Sequence, residues 1–158
     1  MIERIESTLD SMGQRRMLFI IGDHSSGKTK LVKDCLVRWF GQDSESHYVD
    51  VGLYIKDKVA DEYLDIYKIY PEEFREDAEG FFNQLIEEKY KDNRLVVFDH
   101  MEYLLSEKYT GWIRLLDKVT LKDNTAIIVV PTEYEKSLPL LAYKYLRVEW
   151  EWGEGNED

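Results

Sequence analysis

The sequence predicts an α/β domain, a mostly parallel sheet of about five strands with helices on both faces in a three-layer sandwich. Three observations predict it. Met17 to Ile21 (MLFII), Leu95 to Phe98 (LVVF) and Ala126 to Val130 (AIIVV) are short and apolar throughout, as strands buried on both faces must be. Between them lie segments whose apolar residues recur at helical spacing. The chain has 158 residues, 44% hydrophobic and 34% charged, enough for one core without disulfides or a structural metal.

The elements follow in order. Ile2, Ile5, Leu9 and Met12 form an apolar stripe at spacings of three and four, which predicts an amphipathic helix packed across the sheet edge. The MLFII strand ends at Gly22, and Lys28 to Phe40 reads as a helix stopped by Gly41. Tyr48 to Tyr54 alternates as a strand does, and Asp57 to Tyr70 reads as a helix or helical loop interrupted by Pro71. Pro71 then opens a second helix, with Glu72 and Glu73 in its first turn, which runs to the turn at Lys91-Asp92-Asn93. After the LVVF strand come a helix over Trp112 to Val119 and the AIIVV strand, ended by Pro131. A helical piece around Leu138 to Tyr145 precedes a closing strand over Arg147 to Trp152. Residues 1–152 are read as one domain and 153–158 as a solvated acidic tail.

Charge and composition narrow the function. With 21 Lys and Arg against 32 Asp and Glu, the net charge of −11 opposes direct nucleic-acid binding, which draws its non-specific affinity from phosphate neutralisation. No stretch approaches the roughly 18 apolar residues that a membrane span requires. Neither does the beginning of the chain carry an export signal. A single cysteine, Cys35, inside the helix after Gly27, suits a reducing cytosol and reads as a small core residue. Cytoplasmic localisation is the expectation. His24 and His47 have no Cys or His partners at zinc spacing, so no structural metal is expected.

Directly after the first buried strand stands Gly22-Asp23-His24-Ser25-Ser26-Gly27-Lys28-Thr29, with Lys30 following in the first helical turn. This is Gly-x-x-x-x-Gly-Lys-Thr between a strand and a helix, the setting in which it cradles phosphate. Gly22 and Gly27 let the backbone N–H groups turn inward, and the helix N-terminus adds its positive end. Lys28 is placed to reach the β- and γ-phosphates and Thr29 to offer its hydroxyl to Mg²⁺. Asp99, at the end of the second buried strand, is the matching metal carboxylate.

Gly22 to Thr29 resembles the Walker A motif, and Leu95 to Asp99 the Walker B motif, of P-loop NTPases. The apolar strands that follow resemble the branch containing AAA+ and STAND-type ATPases, which implies sheet order 5-1-4-3-2 with ATP and Mg²⁺ as ligands. AAA+ proteins place a catalytic Glu directly after the metal Asp, where this chain has His100. Glu102 is spaced like the acidic pair of STAND-type ATPases, so Glu102 or His100 is the candidate for positioning the attacking water. Thr132 stands where the resemblance implies a polar sensor of the γ-phosphate, a place a simple turn residue would equally fill. The cations nearest the position of an arginine finger are Lys144 and Arg147, both read as surface or strand residues. The chain stops after the fifth strand, implying no helical lid domain.

Two enzymatic rivals fit less well. Small P-loop kinases close an Arg-rich lid, whereas the segment after Pro131 carries Glu133, Glu135 and Lys136. GTPases need Asn-Lys-x-Asp, and Lys122-Asp123-Asn124 lacks that order. Size and the pairing of a full first motif with Asp99-x-x-Glu102 resemble the BrxF family of small P-loop ATPases in BREX phage-defence systems. That resemblance implies a weak ATPase completed by a homo-oligomer or by a larger defence protein. The alternatives are a module that uses ATP occupancy as an assembly switch and a small-molecule kinase. Trp150 and Trp152, alternating near the end of the chain, read as packing against the first helix or as a partner surface.

Overall fold

The structure of the protein, a computed structural model, describes residues 1–59, 69–106 and 110–149. Its elements are α1 (Ile2–Ser11), β1 (Arg16–Gly22), α2 (Lys28–Phe40), a 3₁₀ segment (Gly41–His47), β2 (Tyr48–Asp50) and α3 (Val51–Lys58). There follow α4 (Pro71–Tyr90), β3 (Leu95–Asp99), α5 (Gly111–Thr120), β4 (Thr125–Pro131), a second 3₁₀ segment (Thr132–Ser137) and β5 (Lys144–Val148). Among the described residues no helix is long and apolar enough to cross a membrane.

The five strands make one sheet in the order β2-β3-β4-β1-β5, which is the expected 5-1-4-3-2 read from the other edge. Every pairing is parallel. Central β1 explains the layering, because alternate residues of a strand face opposite sides. Met17, Phe19 and Ile21 enter a core shared with α3, α4 and α5, where the Phe19 ring meets Trp112 edge to face at 6.4 Å. Leu18 and Ile20 enter the opposite core with α1 and α2. An all-apolar strand is stable only when both faces are covered, so the three layers follow from it.

Helix α1 lies on a face of the sheet instead of its edge. Ile5 and Leu9 are buried against Leu18 and Ile20, and Trp39 of α2 donates from Nε1 to Glu6 at 2.9 Å. A sheet edge offers main-chain polar groups, whereas the face offers apolar side chains, and the stripe of α1 goes to the latter.

Three further expectations change. The strand read over Tyr48 to Tyr54 ends at Asp50, where the Asp50 carboxylate accepts the Leu53 N–H at 2.9 Å and starts α3. Val51 and Ile55, one helical turn apart, are the buried residues of that segment, while Leu53 is exposed. Next, the helical turn after β4 covers Thr132–Ser137, ahead of the expected position, and Leu138 to Tyr143 carries no regular element. Finally, β5 starts three residues before the expected Arg147, because its pairing runs from Leu18↔Lys144 to Gly22↔Val148. Trp150, Trp152 and the acidic tail lie outside the described residues, as does most of the segment read over Asp57 to Tyr70.

Cys35 is buried in α2, and burial pushes its thiol up to about 12, which suits a core side chain and not a nucleophile. His47 is also buried, donating from Nδ1 to the Leu95 carbonyl at 2.7 Å and stacking on Phe40.

Candidate functional site

Parallel strands place their C-terminal ends together, and here the ends of β1, β3 and β4 open on one cleft of about 320 Å³. Of the residues singled out in the sequence, His24, Ser25, Gly27, Lys28, Thr29, Lys30, Asp99, His100 and Glu102 line it, together with Pro131.

The loop from Gly22 to Gly27 is shaped by residues that cannot be exchanged freely. A Cβ on Gly22 would lie 2.6 Å from Ser26 Oγ and 2.7 Å from the Val148 carbonyl oxygen, so the close approach of strand, loop and β5 requires glycine. Gly27 begins α2 with φ of 88°, and Ser25 is also left-handed at 65°. Ser26 N–H closes the turn onto the Asp23 carbonyl at 3.1 Å. Helix geometry leaves the first N–H groups of α2 without intrahelical acceptors, at the positive end of its dipole. The Ser26 hydroxyl is buried and has no hydrogen-bond partner among the described residues. A loop that curls donors around a space in this way fits a phosphate group.

Lys28 reaches back over the loop and donates to the Asp23 carbonyl at 2.8 Å. Burial lowers its ammonium from the usual lysine value, while Asp99, Asp23 and Glu102 pull it back up. The ammonium therefore stands in the field of three carboxylates while its hydrogen bond goes to a main-chain carbonyl.

Asp99 ends β3 and is 4% exposed. Its Oδ2 accepts the Thr29 hydroxyl at 2.7 Å and the Tyr48 hydroxyl at 2.7 Å, and its Oδ1 accepts the His100 N–H at 2.8 Å. The two motifs, 70 residues apart, thus meet through one hydrogen bond. Mg²⁺ is commonly held by one or two side chains plus water and phosphate oxygens, and Thr29 with Asp99 supplies such a pair. Among the described residues no group of three or more His, Cys, Asp or Glu is arranged to hold a metal.

His100 follows with φ of 57°, and its Nε2 lies 3.8 Å from Asp99 and 3.9 Å from Asp50. Glu102, half-buried in the next turn, also faces the cleft. Thr132 is exposed just beyond β4, next to Pro131, and is not among the lining residues. Its neighbour Glu133 is 3.2 Å from His24 Nε2, joining the loop to the segment after β4. Of the cations near β5, Arg147 pairs with Glu135 from Nε at 2.8 Å and from Nη2 at 2.6 Å, and Lys144 is exposed.

Tyr48 was invisible to motif reading. Burial and the hydrogen bond to Asp99 hold its hydroxyl well above the usual tyrosine value. The signal that could have found it is register, since the parallel pairing Tyr48↔Val97 puts its side chain on the same face as Val97 and Asp99.

No protein-family model matches the sequence, and no curated protein matches it. Among solved structures, the chain is similar to C. elegans PCH-2, with 14% identity and a TM-score of 0.51. The match covers 92% of this chain and 39% of PCH-2, so the chain spans well under half of that protein's length. At this identity the likeness shows the fold alone, an α/β fold with a five-stranded parallel sheet.

Proposed function

We propose that the protein binds ATP with Mg²⁺ and hydrolyses it, slowly when alone and faster once assembly completes the site. The observation that carries this reading is the 2.7 Å bond from Thr29 to Asp99 beside a glycine-shaped loop holding Lys28. Loop N–H groups and Lys28 bind the phosphates, Thr29 and Asp99 hold the cation, and Glu102 orients water. Magnesium, when bound, neutralises charge on the phosphate oxygens. Adenine is preferred over guanine because no guanine-reading segment is present in the sequence.

Slow turnover follows from what surrounds the site. Phosphoryl transfer depends on positioning and charge, and lack of an arginine finger costs about 10³ to 10⁵ in rate. Arg147, the nearest candidate, is already paired with Glu135. A second copy or a larger partner therefore supplies the missing cation. Size and the Asp99-x-x-Glu102 pairing support a subunit of BREX phage defence as the setting, with a cytoplasmic location and no direct contact to nucleic acid.

Two experiments test this. Glu102→Gln is expected to keep ATP affinity and to lower turnover by about 100-fold or more, the usual worth of a positioned acid or base. His100→Ala should leave turnover near the wild-type rate. The reverse pattern would transfer the water-positioning role to His100. In sizing with Mg²⁺, an oligomer is expected with a non-hydrolysable ATP analogue and not with ADP or without nucleotide. A monomer under all three conditions would overturn assembly with itself.

His100 in place of the adjacent Glu favours a second reading, an assembly switch that is set by ATP occupancy and hydrolyses negligibly. Intact ATP recovered after long incubation with the assembled protein would establish it over the first.

A further inference from the structure

Asp99 is held from a direction that the two motifs do not account for. Tyr48, on β2, sends its hydroxyl to the same Oδ2 that accepts Thr29, each at 2.7 Å. The two donors differ in kind. A threonine hydroxyl swings about a single bond and belongs to the helix that carries the phosphate loop. The tyrosine oxygen is fixed in the plane of its ring, and the Lys33 ammonium of α2 lies 4.7 Å from the ring centre. Together with the His100 N–H on Oδ1, Tyr48 fixes the carboxylate from the sheet side, independently of the loop.

The half-exposed His100 imidazole is 3.8 Å from Oδ2. Asp50 cannot replace Tyr48 as a donor, since carboxylate oxygens accept hydrogen bonds, as its Oδ1 does from the Leu53 N–H. Loss of an outer group that orients a ligating carboxylate typically costs about 10–100-fold in metal affinity.

We infer that Tyr48 is a positioning residue for the cation site, its hydroxyl aiming the Asp99 carboxylate at the metal that Thr29 shares. The inference rests on the reading of Thr29 and Asp99 as magnesium ligands, and it assigns the oxygen's orientation to β2, which carries neither motif.

The test is Tyr48→Phe in the full chain, a change that keeps the ring beneath Lys33. Binding of a fluorescent ATP analogue is measured in EDTA and across a Mg²⁺ titration, and Mn²⁺ binding is followed directly by its electron paramagnetic resonance signal. Metal-free nucleotide affinity should stay within about twofold of wild type, while the half-saturating Mg²⁺ and Mn²⁺ concentrations rise about tenfold. Unchanged cation dependence would overturn the role of Tyr48 and leave the proposed function standing. A parallel fall of metal-free and metal-bound affinities, or a lowered unfolding midpoint as the sole effect, would make Tyr48 a structural residue and overturn the inference. If the wild-type protein shows no cation dependence at all, the inference falls together with the ligand reading beneath it.

Discussion

Replacing Lys28 by Ala is expected to weaken ATP binding by about 100-fold or more, as read by calorimetry or by a fluorescent analogue. Lys28 lines the cleft and is held there by the loop and by the field around it. Its ammonium lies on the Asp23 carbonyl at 2.8 Å, and Asp99, Asp23 and Glu102 all act on it. Removal leaves those carboxylates facing an incoming polyphosphate, in a chain whose net charge is already −11. Each decade of affinity corresponds to about 1.4 kcal/mol, and losing the partner of a desolvated charge commonly costs about 2–5 kcal/mol. The fold should be indifferent to the change, because Lys28 is half-buried at the start of α2 and belongs to neither core cluster. Lysine-independent binding would remove the phosphate-loop reading.

The second large effect is on stability. Gly22→Ala should destabilise the protein by about 3 kcal/mol, seen as a lower midpoint in urea at unchanged slope. The new methyl carbon would meet Ser26 Oγ at 2.6 Å and the Val148 carbonyl oxygen at 2.7 Å. Ser26 could rotate away, but Val148 is backbone paired with Gly22 in the sheet, so β5 itself would have to move from β1. For a domain of this size the change corresponds to roughly 6–12 °C in Tm. Gly80→Ala serves as the control, since that glycine lies within α4 and, among the described residues beyond its own helix turn, nothing stands within 4 Å of the added carbon. It should hold or raise stability, as alanine does in a helix interior. Equal midpoints for the two variants would contradict the close approach at Gly22.

Local signals carried much of the architecture. β1, β3 and β4 each contain an unbroken apolar run, MLFII, LVVF and AIIVV, so their identity as buried strands needs no partner to define it. α2 starts at Lys28 and ends before Gly41 as the sequence predicts, because glycine punctuates both ends. α4 begins at Pro71, whose missing N–H is harmless only in a first helical turn. β2 and α3 are not separable in the sequence, because three residues of alternation and a short helix look alike until the Asp50 cap is known. β5 was placed late because its side chains are mostly exposed, and an edge strand takes its limits from the neighbour it pairs with.

The candidate site divides along the same line. By itself the sequence carried the proposed phosphate loop, since Gly22, Gly27, Lys28 and Thr29 stand within eight consecutive residues and the pattern needs only their backbone freedom and chemistry. It also marked Asp99, through the apolar strand that delivers it. Only the tertiary structure decided that Thr29 and Tyr48 meet on one oxygen of Asp99, that His24 pairs with Glu133, and that Arg147 is engaged by Glu135. These contacts join residues brought together by strand order and register. A parallel sheet aligns ends that are far apart in the chain, and no local periodicity records which side chain will stand beside which.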